Sequence, residues 1–155
     1  MSNRFKISKL PKSKLPSQYI LNQLKQCQRK GGLIYSTYKS LIQNKETTNT
    51  DILFEEIKDF GAFYIKDTFK KDEIVSWCLY INGRIDNKYG IQTMYFTRPF
   101  YRGLGLGTIL FSKIVDYSKK INLPIWVYPY NDNKWFFRKL KNHFKDIKIK
   151  NIYKI

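Results

Sequence analysis

Three glycines at alternate positions, Gly103, Gly105 and Gly107, follow an arginine and precede an apolar run with helical spacing. The residues before them, Ile91–Phe96, are rich in aromatic and β-branched side chains, which is typical of a strand. Glycines let the backbone approach a ligand without a Cβ, and the free N–H groups of such a loop and of the first helical turn point at one spot. That spot favours an anion, and a pyrophosphate suits it. The sequence therefore predicts a strand, an anion-binding loop and a helix in succession.

The residues around these glycines exclude two well-known phosphate-binding loops. A Walker loop ends in Gly-Lys-Ser/Thr, and Gly107-Thr108-Ile109 lacks the lysine. A dinucleotide-binding fingerprint read from Gly105 needs a third glycine where Leu110 stands, and it needs an acid about 20 residues later at a strand end. Neither requirement is met, so the loop belongs to another kind of anion site.

The remaining pattern is Arg-x-x-Gly-x-Gly over Arg102–Gly107, which stands between a strand and an apolar helix and directly follows Pro99–Tyr101. Farther along, the strand-like segment Pro124–Tyr128 is followed by Asn131 and by the aromatic helical segment Trp135–Leu140. This combination resembles the acetyl-CoA loop, the fifth strand and the "N…YEKLGF" segment of the GNAT N-acyltransferase superfamily.

The resemblance is specific from about Ile74 to Phe144. The residues before Ile74 are only compatible with the family. It implies an α/β fold in which a mixed, splayed β-sheet is flanked by helices, here with a shortened C-terminal end. A chain of 155 residues is the size of one ordinary domain. Residues 1–155 are therefore predicted to form one GNAT-like acyltransferase domain, with a basic N-terminal region at 1–45 and the best-matching core at 74–144.

The resemblance also implies direct transfer of an acetyl group from acetyl-CoA to an amine. The sheet is expected to open between Ile91–Phe96 and Ile125–Tyr128, with the pantetheine arm in the gap and paired with the backbone of Tyr95 and Phe96. A backbone N–H there would stabilise negative charge on the thioester oxygen. Asn131 matches the family's asparagine on the cofactor arm, and it has an equally good role as a helix N-cap. The pyrophosphate is expected to lie against Arg102, Gly103, Leu104, Gly105, Leu106, Gly107 and Thr108.

The catalytic groups are where the sequence departs from the family pattern. The fourth strand, Ile91–Phe96, carries no carboxylate to act as a general base. Phe137 or Phe136 stands where the family has the tyrosine that protonates the departing thiolate. Aromatic residues near a strand end also serve packing, and an acid before a helix also serves as a cap. The remaining candidates are Tyr128, Tyr130 and Asp132.

The net charge of +17 is unevenly distributed. Residues 1–45 contain ten Lys or Arg and no acid, residues 46–86 carry a charge of −4, and residues 87–155 carry +11. Such a field concentrates polyanions such as RNA, DNA or ribosomes near the protein. Lys outnumbers Arg 23 to 6 and Ala62 is the single alanine, so an AT-rich coding sequence is a second explanation of the charge. Both explanations stay open at this level.

Three functions are compatible with these observations. The first is acetyl transfer to nucleic acid or to a nucleic-acid-associated macromolecule. An exocyclic nucleobase amine, of the kind modified in phage DNA, or an N-terminal α-amine near its pKa needs less help from a base than a lysine does. The second is a catalytically inactive, basic module of the same fold that binds nucleic acid. The third is a small-molecule amine acetyltransferase, although the charge would repel cationic acceptors such as polyamines.

The chain has no recognisable membrane or export segment. Its longest mostly apolar stretch, Ile74–Ile81, is too short to cross a bilayer, and Met1–Lys6 leads into no apolar region. A cytoplasmic location is therefore expected. Whether the protein is a monomer or a homodimer stays open at this level. Cys27 and Cys78 are 51 positions apart without a Cys-x-x-Cys pair or a nearby histidine, so neither a disulfide nor a metal site is expected. His143, the single histidine, is interpreted as a surface residue.

Periodicity and capping residues predict the remaining elements. Leu33–Gln43 is left open between a helix and an irregular segment. Asn82–Gly90 is predicted to be a turn, and the charged loop Asp67–Glu73 is predicted to close a hairpin. The predicted strands are Phe5–Leu10, Ala62–Ile65, Ile74–Ile81 and Ile147–Ile155, and the predicted helices are Ser17–Arg29, Ile52–Phe60 and Lys134–Lys141.

Overall fold

The computed structural model describes residues 4–27, 33–43, 54–85, 87–127, 134–144 and 149–151. The strands are β1 (Phe5–Pro11), β2 (Phe54–Asp67), β3 (Glu73–Ile85), β4 (Lys88–Thr97), β5 (Ile125–Val127) and β6 (Ile149–Asn151). The helices are α1 (Gln18–Cys27), α2 (Leu33–Ile42), α3 (Leu106–Ile121) and α4 (Lys134–His143). Two short 3-10 turns, Thr68–Lys70 and Pro99–Tyr101, follow β2 and β4.

The six strands form one sheet in the order β1-β2-β3-β4-β5-β6. Neighbours are antiparallel from β1 to β4, and β5 pairs in parallel with both β4 and β6. A parallel pair needs a long crossover, and α3 supplies it between β4 and β5. The architecture is the mixed α/β sheet flanked by helices that the sequence predicts.

Two apolar clusters lie on opposite faces of the sheet, since successive side chains of a strand alternate between its faces. α1 and α2 cover one face, where Leu24 and Tyr38 pack with Trp77 of β3. α3 and α4 cover the other face. The helix predicted from the apolar run after the glycines is confirmed as α3, and it buries the stripe Leu110, Phe111, Ile114, Val115 and Ser118.

Within the described residues, the pairing of β4 with β5 ends before β4 does, and we call the space beside this last part of β4 the gap. Their pairing runs only from Ile91 opposite Ile125 to Thr93 opposite Val127, while β4 continues to Thr97 and stays paired with β3 over its whole length. Among the residues described here, the last four residues of β4 therefore have a neighbouring strand on one side only.

One prediction about the first half of the chain is wrong. Ile52–Phe60 is not a helix over the part that the structure describes, because Phe54–Asp67 is the single strand β2. The carboxylate of Glu55, within β2, pairs with Arg84 of β3 at 2.8 Å. Gly61 lies inside the same strand. A Cβ at Gly61 would lie only 2.5 Å from the Tyr80 hydroxyl, so this glycine permits a close approach between strands.

The predicted turn over Asn82–Gly90 is also wrong, because β3 extends to Ile85 and β4 begins at Lys88. The ambiguous segment Leu33–Gln43 forms helix α2. The remaining predicted elements are found with shifted ends, and the hairpin over Asp67–Glu73 is confirmed. No helix among the described residues combines the length and hydrophobicity that crossing a membrane requires.

Candidate functional site

The loop between β4 and α3 begins with Arg102, whose side chain is fastened to the end of the strand. Its Nε donates to the carbonyl oxygen of Thr97 at 3.1 Å, and its backbone N–H donates to the carbonyl of Pro99 at 3.2 Å. The guanidinium carbon lies 5.8 Å from the centre of the Phe96 ring, within the range of a cation–π contact. Arg102 therefore holds a fixed positive charge at the start of the loop.

Two glycines of this loop adopt left-handed backbone conformations. Gly103 has φ of 85° and Gly105 has φ of 80°, and a Cβ at either position would meet no atom within 4 Å. Both glycines are therefore required by the backbone path and not by crowding, since a residue with a Cβ is strained at such angles. The loop turns sharply and leaves its backbone open to a ligand.

The first turn of α3 presents backbone donors beside this open loop. Gly105 is the N-cap and offers no side chain, and the first helical hydrogen bond runs from Ile109 N–H to the Gly105 carbonyl at 3.1 Å. The N–H groups of Leu106, Gly107 and Thr108 consequently have no partner within the helix. No acidic residue lies in this turn, so the positive end of the helix dipole adds to the charge of Arg102.

Gly107 has a different role from the other two loop glycines. A Cβ at Gly107 would lie 2.9 Å from Cζ of Phe136, a residue of α4. The third glycine therefore lets α4 pack closely on the first turn of α3. This contact brings Phe136 of α4 to the glycine loop.

The edge of β4 places backbone donors in the gap. Ile91 N–H donates to the carbonyl of Pro124, which precedes β5, so the polar backbone groups of Ile91 face β5. These groups alternate in direction along a strand, and β4 pairs with β3 without a register shift. The N–H groups of Tyr95 and Thr97 therefore face the gap, while that of Phe96 faces β3.

The side chain of Tyr95 points to the face covered by α3 and α4. Its ring contacts Phe111, Phe136 and Phe137 with centroid distances of 5.9, 6.3 and 5.7 Å. Its buried hydroxyl has no hydrogen-bond partner among the described residues. Burial raises the pKa of Tyr95 well above its usual value, so the hydroxyl stays protonated and is a poor proton donor to a leaving group.

The buried carboxylate of Asp67 anchors the loop through a hydrogen bond. The Tyr101 hydroxyl donates to Oδ2 of Asp67 at 2.7 Å, and Arg4 donates to both oxygens of the same carboxylate at 2.9 Å. The backbone N–H of Phe69 adds a third donor at 3.0 Å. Together these donors, with the hydrogen bond from Arg4 as the largest contribution, lower the pKa of Asp67 to about 2.

Arg98 fixes the other end of the same turn. Its backbone N–H donates to Val75, its Nε donates to the carbonyl of Ile74 at 3.0 Å, and its guanidinium pairs with Glu73 at 3.1 Å. The β2–β3 hairpin thus holds the β4–α3 loop at both Arg98 and Tyr101. The position of the loop is set by residues far away in the sequence.

These elements enclose a cavity of about 440 Å³ between the end of β4, the glycine loop and α4. This volume is typical of ligand-binding clefts. Its cationic side chains are Arg102 and Lys139, and no carboxylate lines it among the described residues. The lining residues are Tyr95, Phe96, Thr97, Tyr101, Arg102, Gly103, Gly105, Leu106, Gly107, Thr108, Phe136 and Lys139.

Most of the cofactor-binding residues predicted from the sequence meet in this cavity, and Leu104 is the exception. Its side chain is 54% exposed and is not part of the lining. The other predicted site residues lie outside the described residues, namely Asn131, Tyr128, Tyr130 and Asp132. His143, interpreted as a surface residue, is exposed at the end of α4.

Sequence reasoning missed four lining residues: Thr97, Tyr101, Phe136 and Lys139. Helical spacing could have predicted that Phe136 and Lys139 lie side by side, because residues three apart on α4 share a face. Nothing local indicates that this face meets the loop, since the contact depends on tertiary packing.

Comparison with known proteins agrees with this geometry. The profile of the Acetyltransferase (GNAT) family matches residues 33–139, which is more than half of the chain, and the protein belongs to this family. No curated protein matches the chain in sequence.

Solved structures with the same fold include an acetyltransferase from Trypanosoma brucei and a glucosamine-6-phosphate N-acetyltransferase from Arabidopsis thaliana. The first has a TM-score of 0.51 at 16% identity, covering 88% of this chain and 90% of the other. The second has a TM-score of 0.53 at 16% identity, covering 87% and 88%. An aminoglycoside acetyltransferase from a soil metagenome has a TM-score of 0.52 at 13% identity, covering 90% and 91%. At these identities the likeness shows the fold and not the acceptor.

Proposed function

We propose that this protein transfers the acetyl group of acetyl-CoA to an amine of nucleic acid or of a nucleic-acid-associated macromolecule. The observation that carries the acyl-donor part is the cavity in which the open glycine loop, Arg102 and the gap beside Tyr95 converge. Family membership supports the reaction class. The acceptor part rests on the charge of the chain and on the absence of carboxylates from the described lining.

The residues present fit the donor. The diphosphate of coenzyme A is an anion, and the loop offers unpaired N–H groups from Leu106 to Thr108 together with the guanidinium of Arg102. A Cβ at Gly103 or Gly105 would fill the open space that a phosphate needs. Lys139, at the α4 side of the cavity, adds a second cation.

Different groups of the chain act at different steps of the proposed reaction. Acetyl-CoA supplies an acyl group activated as a thioester. The acceptor nitrogen forms a C–N bond with the carbonyl carbon as the C–S bond breaks, the nitrogen loses a proton and the sulfur gains one. The Tyr95 N–H, which faces the gap, is the donor to the carbonyl oxygen. Tyr128 and Tyr130 remain the sequence-based candidates for protonating the sulfur, and Asp132 remains the candidate base.

The chemistry of the described cavity favours an acceptor that needs little deprotonation. An alkyl ammonium must lose a proton before attack, whereas an exocyclic nucleobase amine is neutral at pH 7 and an N-terminal α-amine, with a pKa of about 7.7–8.0, is partly neutral. The net charge of +17 attracts polyanionic carriers of such amines and repels polyamines.

Isothermal titration with acetyl-CoA tests the donor. We expect micromolar binding to the wild type, and Arg102→Glu should weaken it by at least tenfold, since a hydrogen bond to a charged group contributes about 1.5–3 kcal/mol. The matched control is Lys120→Glu, the same charge reversal at an exposed residue near the far end of α3. Wild-type protein that does not bind acetyl-CoA would exclude the proposed activity.

A thiol-release assay with a panel of acceptors tests the proposed acceptor. Nucleosides, single-stranded DNA, tRNA, peptides and polyamines are compared at equal amine concentration. We expect turnover with nucleic acid or with peptides from nucleic-acid-binding proteins. Turnover with polyamines alone would show that the protein is a small-molecule acetyltransferase.

A further inference from the structure

Exposed aromatic side chains gather at the end of the sheet that carries the loop. Phe69, in the tip of the β2–β3 hairpin, is 73% exposed, and Phe100, in the turn that precedes Arg102, is 88% exposed. Large apolar side chains with this exposure indicate an interaction surface when they occur together. The two residues are neighbours through Asp67, which accepts from Phe69 N–H and from the hydroxyl of Tyr101, the residue next to Phe100.

Cations surround the aromatic side chain of the hairpin. Lys70 and Lys71 directly follow Phe69 and are exposed, and the guanidinium carbon of Arg4 lies 5.3 Å from the centre of the Phe69 ring. Asp72 is the exposed acid of this tip, since Glu73 pairs with Arg98.

Two further lysines face each other at the same end of the sheet. Lys6 of β1 is directly opposite Lys66 of β2, and neither forms an ion pair among the described residues. Like charges opposite each other on neighbouring strands destabilise a sheet. Because side chains alternate along a strand, both lysines lie on the α1–α2 face with Leu10 and Tyr64, whereas Tyr101 packs on the α3–α4 face. The two lysines are therefore not counted with the loop, and we define the tip surface as Phe69, Lys70, Lys71 and Phe100.

We propose that the tip surface binds single-stranded nucleic acid, with bases stacked on Phe69 and Phe100 and with phosphates beside the lysines. The proposal rests on the acetyl-transfer function above and names the surface that captures its acceptor. Tyr101 lines the donor cavity and also bonds to Asp67 under the tip. A strand held at the tip surface therefore lies beside the mouth of the cavity.

The chemistry of the surface favours a single strand over other polyanions. Exposed rings interleaved with cations match unpaired bases on a phosphate backbone, because each base has a face that can stack. Duplex DNA hides those faces. An acidic peptide offers carboxylates to the lysines but few aromatic faces to two exposed rings.

Fluorescence anisotropy with a labelled single-stranded oligonucleotide of about a dozen nucleotides tests the proposal. Phe69→Ala should weaken binding about tenfold, as the loss of a base–aromatic stack predicts. The control Tyr19→Ala removes another exposed aromatic side chain, 58% exposed at the start of α1, and should leave the affinity within twofold. An oligonucleotide of abasic sites should bind Phe69→Ala and wild type equally.

A salt titration tests the lysines. Lys70→Ala should reduce the slope of log K against log salt by about 0.7, the value for one phosphate contact on a single strand. Lys120→Ala, on α3, should not change it. Equal losses for both lysine variants would overturn the proposal, because they would show diffuse attraction by the net charge. Tighter binding to duplex DNA or to an acidic peptide than to the single strand would also overturn it.

The outcomes separate this proposal from the proposed function. Phe69→Ala should keep the wild-type affinity for acetyl-CoA, because Phe69 does not line the donor cavity. If the wild type binds acetyl-CoA but the tip variants bind the oligonucleotide normally, the proposal for the tip surface is wrong and the proposal of acetyl transfer stands. If the oligonucleotide binds at the tip and acetyl-CoA does not bind at all, the transfer function fails alone.

Discussion

The hydroxyl of Tyr101 lies 2.7 Å from Oδ2 of Asp67 and joins the β2–β3 hairpin to the loop that opens α3. Tyr101 also lines the cavity, while Asp67 is buried. The loop that opens α3 is therefore held by a side chain that lies 34 residues earlier in the chain. Disturbing the hairpin contact should alter the cavity without touching its lining glycines.

We predict that Tyr101→Phe lowers the free energy of unfolding by about 1–3 kcal/mol, because a buried carboxylate loses one of its donors. The affinity for acetyl-CoA should fall in parallel, since the loop is less well fixed. Urea denaturation and isothermal titration measure the two effects. Tyr19→Phe, which removes an exposed hydroxyl, is the control and should change neither.

The low pKa of Asp67 predicts how the free energy of unfolding changes at acidic pH. Its pKa falls from 3.8 to about 2 in the folded protein, chiefly through the hydrogen bond from Arg4. A depressed pKa stabilises the fold above the unfolded value, and the contribution is lost as the pH falls from about 4 towards 2. The stability difference between wild type and Asp67→Asn should therefore be constant above about pH 5 and shrink below pH 4. Urea denaturation of both proteins at a series of pH values measures this difference.

The contact between Gly107 and Phe136 predicts a change of sign in a double-mutant cycle. Gly107→Ala should destabilise the wild type by about 1–2 kcal/mol, because the new Cβ overlaps the Phe136 ring. In a Phe136→Leu background the same change should be neutral or stabilising, since alanine is the better helix former. Thermal unfolding of the four proteins measures the coupling. Equal destabilisation in both backgrounds would show that the ring does not matter.

The buried hydroxyl of Tyr95 predicts a stabilising substitution. An unpaired buried polar group costs about 1–3 kcal/mol, and this hydroxyl has no partner among the described residues. Tyr95→Phe should raise the free energy of unfolding by about 1 kcal/mol in the absence of ligand. A clear loss of stability would reveal a hydrogen bond to this group. A selective loss of acetyl-CoA affinity would instead assign the hydroxyl to the donor.

Both cysteines should be unreactive in the native protein. Burial raises the pKa of Cys27 and of Cys78 to about 12, so little thiolate exists near neutral pH. An aromatic disulfide reagent should react with native protein only slowly and with both thiols after denaturation. Thiol release measured with this reagent would then report free coenzyme A and not the enzyme. Rapid reaction of the native protein would indicate that one of these regions opens readily.

The glycine loop could be predicted from sequence because its signal is local. A left-handed glycine, an N-cap and an apolar helical stripe each depend on a few neighbouring residues. Tyr101 and Lys139 could not be assigned in this way. They reach the cavity through Asp67 and through the packing of Phe136 on Gly107, which are contacts between distant segments.

The first part of β2 shows why a strand can be mistaken for a helix. Register shifts between Phe54 and Glu56 and between Ile57 and Asp59 interrupt its pairing with β3. Such bulges break the alternation of apolar and polar residues that identifies a strand. Acids followed by a glycine then look like a capped helix, although Gly61 serves close strand packing.

The backbone donor of Tyr95 in the gap has a consequence for how such an enzyme can diverge. The N–H at position 95 belongs to the main chain, so every residue except proline would present it. The Tyr95 ring contacts α3 and α4. A substitution of this side chain can therefore change the packing of the interior. The chemistry proposed for this amide would be inherited unchanged through such exchanges.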